Sequence, residues 1–435
     1  MLNAVFQDRE IFLFALLAIS LACGILTYWV TRKHELPSYA IAAFIFCLAI
    51  AIGVTVFIPG GGGASHVCTV NKDIGEPFRT EQGLLNAAMC VPLGLFSVLA
   101  FRRIPPIIAC GVMAPAVVEL SQATIPWISR NCDSSDAQMN TIGVFLGAGM
   151  GYAVLKMQGS EIAPWNHGAK PLIVTSICAL TVCTFVWNLA ITPIAVDSTS
   201  LQIAGGGEKD AARAALNEAF NDRYSPVNVQ VQPGYEGGSE TLLIALPDGS
   251  ATLSWPDKAN FNVSLESSSV PGPGSFPVVD TAGDPKDSDD AYVIAQRYAN
   301  EHYEWALKGS DYESYPVGDG AEFGWLVSWR KVEGGVLMPM RLDVQINRAG
   351  RVSQLNVQRG PLSVPLPPRR VNRDQAESIV KETLPKGSGA KIEAGRLAAV
   401  QKNGEWRAQW AVSITVDESD PYEVYVDAET GNVSP

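Results

Sequence analysis

Residues 11–30 read IFLFALLAISLACGILTYWV, and this apolar run indicates a transmembrane helix at the start of the chain. An α-helix needs about 20 apolar residues to cross roughly 30 Å of hydrocarbon. Further apolar runs follow, so the sequence predicts six transmembrane helices, over residues 11–31, 39–58, 83–101, 104–126, 138–157 and 170–194. We therefore expect a polytopic α-helical membrane bundle over residues 1–195.

The charged residues of this 435-residue chain are unevenly distributed. Residues 1–195 contain ten Lys or Arg and ten Asp or Glu, whereas the remaining 240 residues contain 22 and 34. The net charge of −12 therefore belongs to the C-terminal part. Neither part has the surplus of cations that phosphate contacts need, which excludes a nucleic-acid-binding protein that works through a basic face.

The distribution of Lys and Arg between the loops predicts the orientation of the bundle, because cytoplasmic loops carry an excess of both. One side of the bundle has six such residues, at Arg32, Lys33, Arg102, Arg103, Lys156 and Lys170. The other side has four, at Arg9, Lys72, Arg79 and Arg130. We therefore expect a multi-pass cell-membrane protein whose N-terminus and large acidic C-terminal part are both extracytoplasmic.

Cysteine and histidine positions bear on disulfides and metal sites. Six cysteines lie within the predicted spans, where they are typical small packing residues: Cys23, Cys47, Cys90, Cys110, Cys178 and Cys183. Cys68 and Cys132 lie in predicted outer loops, where either a disulfide, worth about 4 kcal/mol on the chain-entropy model, or two free thiols would fit. The four histidines are scattered without ligand spacing, so we expect neither a metal site nor another cofactor.

Polar residues that a membrane interior disfavours occur in and around the third to fifth spans. The predicted topology brings them to the outer face, at Asn86, Glu119, Gln122, Arg130, Asp133, Asp136 and Asn140. Glu119 and Gln122 share one side of a helix, and we expect Glu119 to be the central acceptor, with Arg130 as its partner or as an anion contact. Three interpretations stay open: a structural cluster, a site for a polar head group, and an acid and base pair.

Glycine recurs every fourth residue in the fifth span, at Gly143, Gly147 and Gly151. Small residues at this spacing let the backbones of neighbouring helices approach closely. We therefore predict that these glycines pack helices together, and we assign them no ligand.

The polar residues and their spacing resemble the VanZ-like family, small bacterial membrane proteins named after an accessory protein of glycopeptide (teicoplanin) resistance. The resemblance covers about residues 30–157 and is carried by Asn86, Pro92 to Gly94, Glu119, Gln122, Arg130, Asp133, Asp136, Asn140, Thr141, Gly143 and Gly147. The chain departs from the family pattern at Cys90, where Phe is usual, and at Cys132 inside the motif loop. The resemblance implies a function in the cell envelope without supplying a reaction.

The C-terminal part shows three segments in which helical periodicity is followed by strand-like runs. The helices are predicted over residues 208–220, 288–307 and 373–384. Stretches rich in Pro, Gly and Ser separate the segments at residues 267–277 and 360–368. We therefore predict an exported α+β domain of helix-plus-antiparallel-sheet repeats, with units at 196–270, 278–360 and 369–435.

The last of these units resembles a PepSY-type domain, an extracytoplasmic helix-plus-sheet module. The resemblance is carried by the strand at 406–415, the run at 422–427 and the closing turn at 430–433. The second unit, at 325–331 and 343–352, resembles a more distant copy. This resemblance implies binding or modulation in the envelope rather than catalysis.

Together these features predict a VanZ-like integral membrane protein of the cell envelope that is not an enzyme. It would bind or protect a cell-wall precursor or lipid head group at the outer leaflet, with a role in glycopeptide resistance or envelope stress. One alternative is an intramembrane enzyme that uses Glu119 and Asp136 on a polyprenyl-linked or phospholipid substrate. Another is a membrane-anchored sensor or scaffold whose exported domain binds a peptide or protein.

Overall fold

The computed structural model describes residues 10–34, 36–56, 64–128, 130, 132–163, 169–196, 200–234, 238–266, 274–280, 283–384, 390–402, 404–415 and 422–434. The chain divides into two compact units between Ile203 and Ala204. We call them the N-terminal unit and the C-terminal unit and describe each by itself. The glycine run at 60–63 and most of the predicted linker at 267–277 lie outside the described residues.

Six long helices build the N-terminal unit. They are α1 (Glu10–Arg32), α2 (Ser38–Val56), α3 (Glu81–Phe101), α4 (Ile104–Thr124), α5 (Ser134–Met157) and α6 (Ala169–Ala190). Every helix except α5 is long and apolar enough to cross a membrane. A multi-pass membrane protein is therefore confirmed in outline, whereas the predicted count of six spans stays a prediction.

Helix α5 is the exception because its first turns are polar. Asp136, Gln138 and Asn140 all lie within its first seven residues and lower its mean hydropathy. Its remaining length is rich in Gly and Ala and buries Gly143, Gly147 and further small residues against neighbouring helices. A criterion based on hydropathy alone therefore does not count α5 as a span, because its polar turns face other protein groups instead of lipid.

Helices α3 and α5 cross at very short range, and glycine makes this approach feasible. A Cβ atom added at Gly143 would overlap the carbonyl oxygen of Ala87, and one at Gly147 would overlap that of Val91. From the other helix, a Cβ atom at Gly94 would overlap the carbonyl oxygen of Val144. The predicted glycine stripe thus lies at a helix crossing, where only a hydrogen atom fits between the two backbones.

A small parallel sheet joins the segments that follow α2, α4 and α6. Its strands are β1 (Val67–Asn71), β2 (Cys132–Asp133) and β3 (Thr192–Val196), with β1 in the middle. Cys68 and Cys132 are register partners across the β1–β2 pair and form a disulfide that closes a loop of 64 residues. The three helix ends therefore meet at one end of the unit, where α3 and α5 also begin. Strand β4 (Gln202–Ile203) is the last element of the N-terminal unit along the chain.

The C-terminal unit repeats the order of one helical segment followed by four strands. The first set is α7 (Gly206–Phe220), β5 (Asn228–Gln232), β6 (Glu240–Leu246), β7 (Gly249–Trp255) and β8 (Asn260–Ser264). After β9 (Phe276–Pro277), the second set is α8 (Ser288–His302), α9 (Glu304–Leu307), β10 (Asp311–Pro316), β11 (Trp325–Glu333), β12 (Val336–Ile346) and β13 (Arg351–Gln358). The third set is α10 (Arg373–Thr383), β14 (Lys391–Lys402), β15 (Glu405–Thr415), β16 (Tyr422–Asp427) and β17 (Val433–Ser434).

These strands belong to one sheet rather than to three separate ones. The last strands of the first two sets, β8 and β13, pair antiparallel from Ser264 and Gln354 to Asn260 and Gln358. This pairing gives the continuous order β5-β6-β7-β8-β13-β12-β11-β10, and β12 also meets β14 at Leu337 and Ala398. Strand β9 lies inside the predicted linker at 267–277 and pairs with β13. A membrane helical part followed by a sheet domain is thus confirmed, and the three domain boundaries stay a prediction.

One face of this sheet carries the main hydrophobic core. Leu216 of α7 and Ile294 of α8 are buried in a single cluster with inward residues of β5 to β8 and β11 to β13. The hydroxyl of Tyr298 in α8 donates a hydrogen bond of 2.9 Å to the carbonyl of Ala219 in α7, which ties the two helices together. Because strand side chains alternate between faces, the residues between the core positions point to the opposite face of the sheet.

Candidate functional site

Asp136 links the first turns of α3 and α5. Its carboxylate accepts hydrogen bonds from the amide of Gln82 at 3.0 and 3.1 Å and from that of Asn86 at 2.7 Å. Gln82 and Asn86 are four residues apart on α3 and so share one face of that helix. Asp136 is therefore held by two neutral donors from one neighbouring helix.

The same helix faces continue this contact by one turn. Cys90 lies four residues after Asn86 on α3, and Asn140 lies four residues after Asp136 on α5. The thiol of Cys90 donates to the side-chain oxygen of Asn140 at 3.3 Å. One turn farther on, the glycine crossing begins, so α3 and α5 are joined by polar contacts at one end and by close packing along the rest.

Glu119 reaches the same end of the unit from the last turns of α4. Its side chain accepts a hydrogen bond of 2.8 Å from the backbone N–H of Asp133, and the residue is only 4% exposed. Asp133 in turn caps α5 by accepting a hydrogen bond of 2.7 Å from the backbone N–H of Ser135. Gln122 is buried one turn after Glu119. Glu119 therefore anchors α4 to the start of α5, next to the disulfide at Cys132.

Arg130, which was predicted to be the partner of Glu119 or an anion contact, lies against helix α2. Its guanidinium Nη1 lies 3.5 Å from the carbonyl oxygen of Val54 in α2. Across the residues that the structure describes, neither Glu119 nor Asp136 forms an ion pair with a Lys or Arg side chain. A backbone N–H donates a hydrogen bond to Glu119, and two side-chain amides donate to Asp136 instead.

Six side chains thus make or extend the contacts at one end of the helices, and we call them the helix-end cluster. They are Gln82, Asn86, Glu119, Asp133, Asp136 and Asn140. The sequence singled out five of them together with Gln122 and Arg130. It missed Gln82, although the spacing of four residues between Gln82 and Asn86 was a signal that both face the same neighbour.

A second polar group lies beside this cluster and was also missed. Glu76, which is 1% exposed, accepts from the side-chain amide of Asn71 and, at 2.9 Å, from the backbone N–H of Ser200. Asn71 also donates to the hydroxyl of Ser135 at 3.2 Å. No sequence spacing relates these residues, because the parallel sheet brings together segments far apart in the chain.

The crevice between the two groups is filled by their side chains. Glu76, Gln82, Ser135 and Asp136 line it, and the space between them is too narrow for a water molecule. In this conformation Asp136 therefore acts as an acceptor between helices and has no adjoining space for a ligand. Within the described ranges, no three His, Cys, Asp or Glu side chains are grouped so that they could hold a metal ion.

Comparison with known proteins adds one finding about this region. Residues 44–156 match the VanZ/LLP1 family model. The matched segment contains α3, α4, nearly all of α5 and the whole helix-end cluster, and it supports a VanZ-like membrane domain there. No curated protein and no solved structure matches the chain. The PepSY-like character of the C-terminal unit therefore stays a prediction.

Proposed function

We propose that this protein acts in the cell envelope without catalysing a reaction, and that its VanZ-like domain binds a cell-wall precursor or lipid head group at the helix-end cluster. The match to the VanZ/LLP1 model over residues 44–156 supports an envelope role. A link to glycopeptide resistance follows from what the family is named for, and it is part of the proposal.

The observation that carries the proposal is the pair of carboxylates at one end of three helices. Glu119 accepts from one backbone N–H, and Asp136 accepts from two side-chain amides. A buried carboxylate is costly unless hydrogen bonds satisfy its oxygens. A head group that donates hydrogen bonds, through an ammonium or several hydroxyls, would therefore complement this end of the bundle.

The filled crevice beside Asp136 limits where such a ligand would bind. Arg130 and Asp133 are half-buried, and the backbone N–H of Asp133 donates to the carboxylate of Glu119. The proposed contact is therefore made by Arg130, Asp133 and Glu119, while Asp136 keeps α3 and α5 in place. An intramembrane enzyme would need a cleft that admits both substrate and water, so the filled crevice favours the non-catalytic proposal.

The test replaces Glu119 with Gln, which keeps the shape of the side chain and removes its negative charge. Teicoplanin susceptibility would be compared between bacteria that produce the wild-type chain and bacteria that produce Glu119→Gln. We expect protection with the wild type and its loss with the variant, because a hydrogen bond to a charged group contributes about 1.5 to 3 kcal/mol.

Glu161→Gln is the matched control, since Glu161 is an exposed carboxylate in the segment that follows α5. This control should protect as well as the wild type, and immunoblots of the membrane fraction should show equal amounts of all three chains. Equal protection by Glu119→Gln would contradict the assigned role of Glu119. If production of the wild-type chain left teicoplanin susceptibility unchanged, the proposed role in resistance would be contradicted.

A further inference from the structure

The C-terminal unit has a cavity of its own on the face of the sheet opposite α7 and α8. Its volume is about 640 Å³, which is the size of a typical small-ligand site. Strands β7, β8, β12 and β13 form its floor, and the segment from Tyr315 to Gly318 forms a wall. The proposed function of the VanZ-like domain makes no use of this cavity.

Strand register aligns polar side chains in rows across the floor. Thr252 pairs with Asn262, Asn262 with Asn356, and Asn356 with Asp343, so these four residues lie side by side on four neighbouring strands. Neighbouring strands are about 4.8 Å apart, so the row is roughly 14 Å long. One step along the strands, a second row follows the same pairing, at Ser250, Ser264, Gln354 and Gln345.

The side chains of both rows are polar. Seven of the eight are Asn, Gln, Ser or Thr, which offer both donors and acceptors. The charged residues in the lining are Arg341 and Asp343, which form an ion pair of 2.6 Å. Ser328 donates to the same carboxylate at 2.6 Å, so Asp343 is already satisfied. An uncharged ligand with many hydrogen-bonding groups complements such a floor better than an ion does.

The floor of the cavity offers no free strand edge for recognition by strand addition. A peptide that extends a sheet pairs with the backbone of an edge strand. Here the floor strands already pair with neighbours on both sides, because β7, β8 and β13 are interior strands of the sheet. A ligand on this face must therefore be recognised by side chains, and it has to bring its own dense array of donors and acceptors.

We propose that this cavity binds a hydroxyl-rich glycan chain along its rows of amides and hydroxyls. Sugar hydroxyls match the mixed donors and acceptors of Thr252, Asn262 and Asn356, and the row spans several sugar rings. Tyr315, which is 45% exposed at the wall, offers an aromatic surface on which a sugar ring can stack. This site belongs to the C-terminal unit, and its failure would leave the proposal for Glu119 untouched.

The experiment measures binding of two linear hexasaccharides, chitohexaose and maltohexaose, to the full-length protein by isothermal titration calorimetry. The protein is purified in a detergent without a sugar head group, so that the detergent does not compete. We expect at least one hexasaccharide to bind. The double variant N262L/N356L should bind it at least about fivefold more weakly, because each lost hydrogen bond contributes about 1 kcal/mol.

The matched control carries the same kind of change on the same face, at Asn228→Leu. Asn228 lies on β5 outside the cavity lining, and its pairing with Ala245 sets it on the face opposite the helices. This variant should bind like the wild type. Thr252→Val, which removes only a hydroxyl, is a second test that changes no volume. Binding of neither hexasaccharide, or equal binding by all variants, would overturn the proposal, as would binding of a polyalanine peptide in their place.

Discussion

Asp343 is a buried carboxylate of the C-terminal unit that pairs with two arginines. Its carboxylate is paired with Arg330 at 2.7 Å and with Arg341 at 2.6 Å, and its side chain is 4% exposed. Arg330 is itself 19% exposed, and burial lowers the pKa of its guanidinium while the charge of Asp343 opposes that shift. The negative charge of Asp343 thus compensates the positive charge of Arg330, whose side chain on β11 is mostly shielded from water.

Removing this carboxylate should destabilise the fold far more than removing an exposed one. We expect Asp343→Asn to lower the free energy of unfolding by about 3 kcal/mol, because Arg330 would stay buried without a counter-ion. Urea unfolding of the full-length protein, followed by the fluorescence of its tryptophans, measures this change.

Asp280→Asn is the control for that substitution. Asp280 pairs with Arg297 at 3.1 Å, but its side chain is 74% exposed. An exposed ion pair contributes about 1 kcal/mol or less, so this variant should unfold almost like the wild type. If the two variants unfolded at the same urea concentration, the stabilising role assigned to Asp343 would be wrong.

At the scale of elements, the crossing of α3 and α5 depends on backbone contact. A Cβ atom at Gly147 would overlap the carbonyl oxygen of Val91 in α3, whereas one at Gly149 would meet no atom within 4 Å. Both glycines lie in α5, two residues apart. The pair therefore separates the effect of helix packing from the intrinsic preference of glycine for disordered states.

We predict opposite effects for Gly147→Ala and Gly149→Ala. Overpacking at Gly147 should destabilise the bundle by about 1 to 3 kcal/mol. At Gly149 the same change should stabilise the helix by up to about 1 kcal/mol, because alanine favours helix more than glycine does. The temperature at which the purified protein loses its size-exclusion peak reports both changes. A loss of stability at Gly149 equal to that at Gly147 would contradict the close crossing.

At the scale of the whole molecule, the small parallel sheet relates the helix ends to one another. Strands β1, β2 and β3 follow α2, α4 and α6, so these three ends lie together. This arrangement agrees with helices that alternate in direction. The distribution of Lys and Arg between the loops predicts which of the two ends faces the cytoplasm.

The predicted orientation is tested with fusions to alkaline phosphatase, which is active only outside the cytoplasm, and to green fluorescent protein. A phosphatase fused after Pro435 should be active, because the C-terminal unit is predicted to be exported. A phosphatase fused after Ser160, in the predicted cytoplasmic loop, should be inactive, and green fluorescent protein there should fluoresce. The reverse pattern would contradict the orientation.

Much of the architecture follows from local pattern. Apolar length predicted the positions of α1 to α6, and helical periodicity predicted α7, α8 and α10 to within a few residues at most ends. Most strands of the second and third sets were also predicted, because they are rich in apolar and aromatic residues. Strands β5, β8 and β10 were missed, since the polar residues of Asn228–Gln232, Asn260–Ser264 and Asp311–Pro316 mask their alternation.

An apolar helical part followed by an acidic sheet domain is evident from the amino-acid sequence, which also indicated which polar residues gather at the helix ends. The partners of these residues depend on the tertiary structure, because hydrogen bonds join groups that chain folding brings together: Glu119 with the N–H of Asp133, Asp136 with Gln82, and Arg130 with Val54. The rows of amides and hydroxyls in the C-terminal cavity were likewise invisible in the sequence. Strand register, which arises from long-range pairing between β8 and β13, aligns them.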